Sequence, residues 1–226
     1  MSYGVGGMST FICEQNIAHF QKLLDAGPDA PLRHTLETLL AAAKRELAMS
    51  KSASDGAGVR RFANRNVPVD ARTLRQEIQA EFDGCRNPYM LLDPGPGLHI
   101  LDVNDAYASA TFINRSDVVG KSLFEIFPDN PDDKLADGVS NLYASLKTVA
   151  GTGQPNAMAI QRYDIRNSAG KFVERHWQPI NSAIKDNAGN LIFLLHHVED
   201  VTDQVLHSSP ELQRMATPFS AAQNGR

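Results

Sequence analysis

The sequence predicts an α+β fold: a five-stranded antiparallel sheet with helices on one face, preceded by an α-helical hairpin and one further helix. Three observations predict it. Apolar residues recur at helical spacing through residues 11–49 and 70–83. Two short apolar runs, 89–92 and 98–103, flank the turn Asp93-Pro94-Gly95-Pro96-Gly97. Three longer runs, 157–166, 171–184 and 190–202, are separated by Asn167-Ser168-Ala169-Gly170 and Asp186-Asn187-Ala188-Gly189, both strong turn signals. Helices lying in chain order between the second and third strands fold onto one face of such a sheet, and the space they enclose is a natural cavity.

Residues 1–9 are rich in Gly and Ser and read as loose. Ile12, Ile17, Phe20, Leu23 and Leu24 form an imperfect stripe on a first helix over 11–25, which Gly27, Pro28 and Pro31 interrupt. A second helix over 32–49 carries Leu32, Leu36, Leu39, Leu40, Ala43 and Leu47. The two read as an antiparallel hairpin (10–49) that must pack on something to be stable. Residues 50–69 read as a linker, because 50–60 are mostly Ser, Ala and Gly. A flanking helix (70–86) follows, with Asp70 as its N-cap and Leu74, Ile78 and Phe82 on one face.

The main domain spans 87–204. After its first hairpin, Asn104-Asp105 can cap a helix running to 112, residues 116–119 make a helical turn, and 121–127 lead into an acidic loop. A longer helix over 134–150 turns Leu135, Val139, Leu142, Leu146 and Val149 inward and ends at Gly151-Thr152-Gly153. Residues 205–226 read as a short helix end and a polar tail.

Composition excludes several classes. The 226-residue chain has a formal charge of -4, which gives no basic footprint for nucleic acid or an acidic membrane. It has no stretch of about 20 apolar residues and no secretory leader pattern, so a cytoplasmic location is expected. Two cysteines far apart, Cys13 and Cys85, fit a reducing compartment and make no zinc spacing. No nucleotide-binding glycine motif and no nucleophile motif is present, so catalysis is not expected.

The order of elements and three motifs resemble the PAS superfamily over about residues 85–204. The opening runs from Asn87-Pro88-Tyr89 through Leu101-Asp102-Val103-Asn104-Asp105. The middle is Val119-Gly120-Lys121-Ser122-Leu123-Phe124-Glu125-Ile126-Phe127-Pro128. The close is Glu199-Asp200-Val201-Thr202. Phe11 to Phe20 is similar to short helical modules of alphaproteobacterial signalling proteins. The resemblance implies a sensor or adaptor that binds a small ligand, a partner protein, or both. It also implies homodimerisation through the flanking helix, with Leu74, Ile78 and Phe82 as contacts. Alternatives are the sensory part of a histidine kinase whose catalytic domain lies elsewhere, and a ligand-free interaction module.

Cofactor expectations follow from the same resemblance. PAS haem sensors commonly use a histidine on the long helix, and 134–150 has none; His99, His176, His196 and His197 remain. Of the adjacent pair, His196 shares strand parity with Leu194 and Val198 and is the one expected to face inward, as a core histidine or a ligand contact. Flavin–cysteinyl chemistry needs a cysteine near 128–133, where there is none. Haem and flavin are therefore not expected, and an organic ligand, especially an anion, is. Arg162, Asp164, Arg175, Trp177 and His196 are its candidate contacts, Arg for a carboxylate and Trp as an apolar wall. Arg162 and Asp164 could equally form a self-satisfied ion pair, or lie on the outer face if the register shifts. Asp200 and Thr202 are the candidate signal-coupling residues, where the last strand meets an exit helix. That helix reaches only to about Ser208 before Pro210, so export through a long coiled coil is not expected.

Overall fold

The turn of the hairpin is chemically specified where its second helix begins. The computed structural model describes residues 5–58 and 71–207, and begins with α1 (Val5–Asp25) and α2 (Ala30–Asp55). The Asp29 side chain accepts from Leu32 N at 3.0 Å, and Pro31 in the first turn starts α2. Cys13 is buried, while Ile17, Phe20 and Leu24 are partly buried. They share one side of α1, while Ile12 and Leu23 lie exposed. On α2 the buried positions are Leu36, Leu40, Ala41, Ala43, Ala48 and Ser52, and Leu32 and Leu39 face outward. The stripes are thus rotated by a residue from the periodic reading. α1 also starts before residue 11.

α2 runs to Asp55, six residues into the stretch read as a linker. The small residues there serve close packing. Ser52 O accepts from Gly56 N at 3.1 Å and from Gly97 N at 2.8 Å, and Ala57 N donates to Pro94 O at 3.0 Å. Ala48 and Ala57 join the main core. Arg45 extends the seam, with Nε 2.6 Å from Asp129 Oδ2 and Nη2 2.5 Å from Ala136 O. α3 (Ala71–Gly84) follows. Asp70, residues 59–69 and the tail from 208 lie outside the described residues.

The main domain comprises β1 (Tyr89–Leu92), β2 (Ile100–Val103), α4 (Asp105–Thr111), α5 (Arg115–Val118), α6 (Leu123–Ile126) and α7 (Gly138–Thr152). It continues with β3 (Asn156–Ala157), β4 (Gln161–Arg162), β5 (Ile165–Arg166), β6 (Phe172–Val173), β7 (His176–Lys185), β8 (Leu191–Asp200) and α8 (Thr202–His207). The antiparallel sheet has the order β2-β1-β8-β7-β3, with β4 also pairing β7. β3 and β4 therefore share the fifth position, and β5 turns away to pair β6. Ala157 pairs Ile180 but Gln161 pairs Trp177, a register slip of one residue. This bulge breaks the single long strand expected over 157–166.

One core lies between the sheet and the helices. It joins Met90, Leu92, Ile100, Leu194 and Val198 of the strands to Tyr107, Leu123, Phe124, Val139, Leu146 and Val149. α7 starts at Gly138, not 134, because the chain turns at 131–135. Leu135 consequently lies exposed instead of facing the core. Asp129 Oδ1 accepts from Val139 N at 2.9 Å and satisfies an otherwise orphan donor of the first turn.

A second core lies on the opposite face of the sheet. There Leu74, Ile78 and Phe82 of α3 pack on Leu91, Leu101, Ile192, Phe193 and Leu195. The stripe assigned to dimerisation is thus engaged within the chain. Buried Asp102 ties this layer down: it accepts from Arg115 Nε at 2.6 Å, Arg115 Nη2 at 2.7 Å and Arg75 Nη2 at 2.5 Å. Burial is the largest influence and would raise the Asp102 carboxyl, but Arg115, Gln79 and Arg75 together outweigh it and hold it below the usual range.

Candidate functional site

A cavity of about 50 Å³ lies between α7, α4 and the inner face of the sheet. Leu123, Phe127, Leu142 and Val198 give it apolar walls, and Tyr107, Tyr163 and Trp177 add aromatic ones. Its polar lining comes from Thr111, Gln161 and His196. Space of this size admits a few waters or a few ligand atoms before side chains move.

Most of the polar groups around the cavity are held by a defined partner. Trp177 Nε1 donates to Tyr163 O at 2.9 Å, and the Tyr163 hydroxyl donates to Phe127 O. Gln161 Oε1 accepts from Asn141 Nδ2 at 2.7 Å. His196 heads a relay: its Nδ1 lies 2.7 Å from Asn181 Oδ1, Asn181 Nδ2 donates to Ser145 Oγ at 2.7 Å, and Ser145 Oγ donates to Asn156 Oδ1 at 2.6 Å. Asn181 and Ser145 are buried. An Asn carbonyl only accepts, so this arrangement puts the proton on His196 Nδ1 and leaves a lone pair on Nε2. The Tyr107 ring meets His196 edge-on at 6.0 Å. Among the described residues, neither His196 Nε2 nor the Tyr107 hydroxyl has a hydrogen-bond partner in the protein.

Burial pushes His196 down to about 3, with a smaller push from His197. In the unfolded chain the ring takes up a proton near 6.5. The folded state refuses that proton, so stability present above pH 6.5 falls as the pH drops toward 3. Between pH 6.5 and 4.5 the loss from His196 is expected to be roughly 2–3 kcal/mol. Urea midpoints of the wild type and His196→Gln over that range check this, because the variant should lose less. Parallel curves would show a ring that titrates freely in the folded protein.

The sequence candidates divide between the cavity and its surroundings. Trp177 and His196 line it; Arg162, Asp164 and Arg175 do not. The bulge before β4 turns Gln161, Tyr163 and Ile165 inward and sends the Arg162 and Asp164 side chains elsewhere. Those two form the self-satisfied ion pair, Nε to Oδ1 3.1 Å, and Asn130 Nδ2 adds a bond to Asp164 at 2.8 Å. Arg175 precedes β7, lies over the Phe112 ring at 5.4 Å and approaches Asp200 Oδ2 at 3.4 Å. The other candidate histidines bond away from the cavity: His99 to Gly120 O, His176 to Glu174 and His197 to Pro88 O.

Asp200 and Thr202 tie the end of β8 to the start of β7. Asp200 Oδ1 accepts from Thr202 N at 2.9 Å and from Thr202 Oγ1 at 2.5 Å, and Thr202 Oγ1 accepts from His176 N at 2.9 Å. His176 precedes cavity-lining Trp177, so the knot lies one residue from the cavity wall. Sequence reasoning missed Tyr107, Tyr163, Gln161, Asn181 and Ser145. Asn181 shares strand parity with Trp177 and Pro179, and Ser145 interrupts the Leu142, Leu146, Val149 stripe. A polar residue at an apolar position is the signal that could have found both.

Among the described residues there is no cluster of His, Cys, Asp and Glu suited to a metal ion, and no helix long and apolar enough to cross a membrane. A family model described as PAS fold matches residues 89–206. Solved structures similar to the chain include the PAS domain of Bordetella pertussis BvgS, 19% identical, covering 63% of this chain and 98% of that one with a TM-score of 0.44. A PAS domain from Colwellia psychrerythraea is 13% identical and covers 58% of this chain and 98% of that one, with a TM-score of 0.43. The PAS domain of the fruit-fly ELK potassium channel is 13% identical and covers 56% and 96%, with a TM-score of 0.41. A search among curated proteins finds no match.

Proposed function

The chain belongs to the PAS family, a family of sensory and signalling modules, with the PAS fold over residues 89–206, and on that premise we propose that it is a non-catalytic bacterial sensor or adaptor whose cavity binds a small organic ligand. The observation that carries this reading is the pair of unpartnered polar atoms, His196 Nε2 and the Tyr107 hydroxyl, in a mostly apolar cavity. A filled structural core satisfies its polar atoms internally; a binding site keeps some for its ligand. Occupancy acts on Trp177, and the adjoining His176 backbone passes the strain through Thr202 and Asp200 to α8. The output is a partner protein such as a histidine kinase, and the setting is cytoplasmic.

Phe11, Ile12, Leu32 and Leu39 are exposed on the hairpin. They favour a second role for α1 and α2, contact with a partner or a second copy, now that α3 is committed to its own sheet. A thermal-shift screen of the full chain against a metabolite library, with native mass spectrometry of each hit, tests the ligand reading. A saturable rise in Tm with a 1:1 added mass supports it. A library without hits, on a protein that carries no added mass, moves the assignment to an interaction module.

A further inference from the structure

This inference rests on the ligand-binding reading and gives the ligand its chemistry. We propose that the cavity takes a small neutral molecule that donates an N–H or O–H hydrogen bond to His196 Nε2, and that it discriminates against carboxylates.

The relay fixes what His196 offers. Asn181 Nδ2 is committed to Ser145 Oγ at 2.7 Å, and the Ser145 proton to Asn156 Oδ1 at 2.6 Å. Asn181 Oδ1 is therefore turned toward His196, at 2.7 Å. The ring donates from Nδ1, and Nε2 faces the cavity as an acceptor. The Tyr107 hydroxyl, carried on a cavity-lining ring whose centroid lies 6.0 Å from that of His196, can donate or accept. A donor on a primary amide, an alcohol or a phenol satisfies Nε2, and the acceptor such a group also carries suits the Tyr107 hydroxyl.

The same walls are poor for an anion. No Lys or Arg lines the cavity. Arg162 is held by Asp164, and Arg175 by Asp200 and the Phe112 face. A carboxylate brought here meets a histidine lone pair and apolar surface, which leaves its charge uncompensated. This reverses the anion expectation drawn from the arginines of the two central strands.

The test uses the full chain, labelled for nuclear magnetic resonance at His and Trp, with isosteric pairs as probes: acetamide and acetate, propionamide and propionate, benzamide and benzoate. The expected result is saturable movement of the Trp177 indole and His196 ring resonances by at least one amide, at concentrations at least tenfold below its carboxylate partner. His196→Leu should abolish the preference, and Tyr107→Phe, which preserves shape should the first variant misfold, should weaken amide binding several-fold. The histidine ¹⁵N shifts of the wild type should report the Nδ1–H tautomer. Carboxylates binding as well as amides, amide binding indifferent to both variants, or an Nε2–H tautomer would overturn the proposal and leave the cavity reading standing. Failure of every probe in both series would remove both.

Discussion

Asn104→Ala should destabilise the protein by about 4 kcal/mol, a fall in Tm on the order of 10 °C. Asn104 is fully buried where β2 meets α4. Its Oδ1 accepts from Tyr107 N at 2.9 Å as the helix cap and from Tyr89 N at 3.0 Å. Its Nδ2 donates to Asn87 O at 2.8 Å, with longer contacts to Phe82 O at 3.2 Å and Cys85 O at 3.3 Å. One side chain therefore joins the end of α3, the start of β1 and the start of α4. Alanine strands two backbone donors at roughly 1–3 kcal/mol each and removes a cap. Asn104→Asp keeps the acceptor but turns a second carboxylate oxygen toward the three carbonyls in a buried site, so at neutral pH it should lose at least as much. Urea unfolding of both variants measures this. An alanine variant within about 1 kcal/mol of the wild type would show that water replaces the network.

Gly56→Ala should release the C-terminal end of α2 from the PAS domain, with a loss of about 2–4 kcal/mol. Gly56 has φ 58° and ψ −134°, a conformation that L side chains rarely adopt. An added Cβ would stand 2.1 Å from Gly95 O and 2.4 Å from Pro94 O, both backbone atoms without rotamers to escape into. The bonds at risk are Ala57 N to Pro94 O and Gly97 N to Ser52 O. Hydrogen exchange should quicken at the amides of Gly56, Ala57 and Gly97 while β8 keeps its protection. Gly84→Ala is the control, since nothing lies within 4 Å of its Cβ position. Unchanged protection at Gly97 would mean that the seam tolerates a side chain.

These two positions show what the sequence made legible. Asn104 was readable as a cap from its place between an apolar run and a helical pattern, but its three carbonyl acceptors were not, because they come from the other side of the sheet. Residues 50–58 read as a linker because composition cannot separate residues that are small for flexibility from residues that are small for close approach. His196 was placed correctly from parity within one continuous strand. For Arg162 and Asp164 parity left a pocket pair, a self-satisfied ion pair and an outward register open, since their orientation depends on a one-residue bulge between Ala157 and Gln161. Strict alternation carries no information across such an insertion. The pairing of Gln161 with Trp177 then puts Gln161 and Tyr163 where the arginine was expected.

The consequence reaches chemistry. An inward Arg162 would make an anion site; an inward Gln161, a neutral His196 and a free Tyr107 hydroxyl make a site for an uncharged ligand. The hairpin seam adds mechanical reach, since Arg45 holds Asp129, which in turn caps α7 over the cavity. Movement of α7 on ligand entry would be felt at α2 as well as at the Asp200–Thr202 knot.

The central claim is that a small molecule enters beside Trp177, and the chain supplies its own reporter, because Trp177 is its single tryptophan. It is buried, lines the cavity and donates its indole N–H to Tyr163 O. The most direct measurement is Trp177 emission of the full chain during titration with the best hit of the metabolite screen, repeated on His196→Leu. The account predicts a saturable change in the wild type that the variant loses or needs at least tenfold more ligand to reach. Emission that stays flat while the ligand is shown by mass to be bound would place the site elsewhere and contradict it.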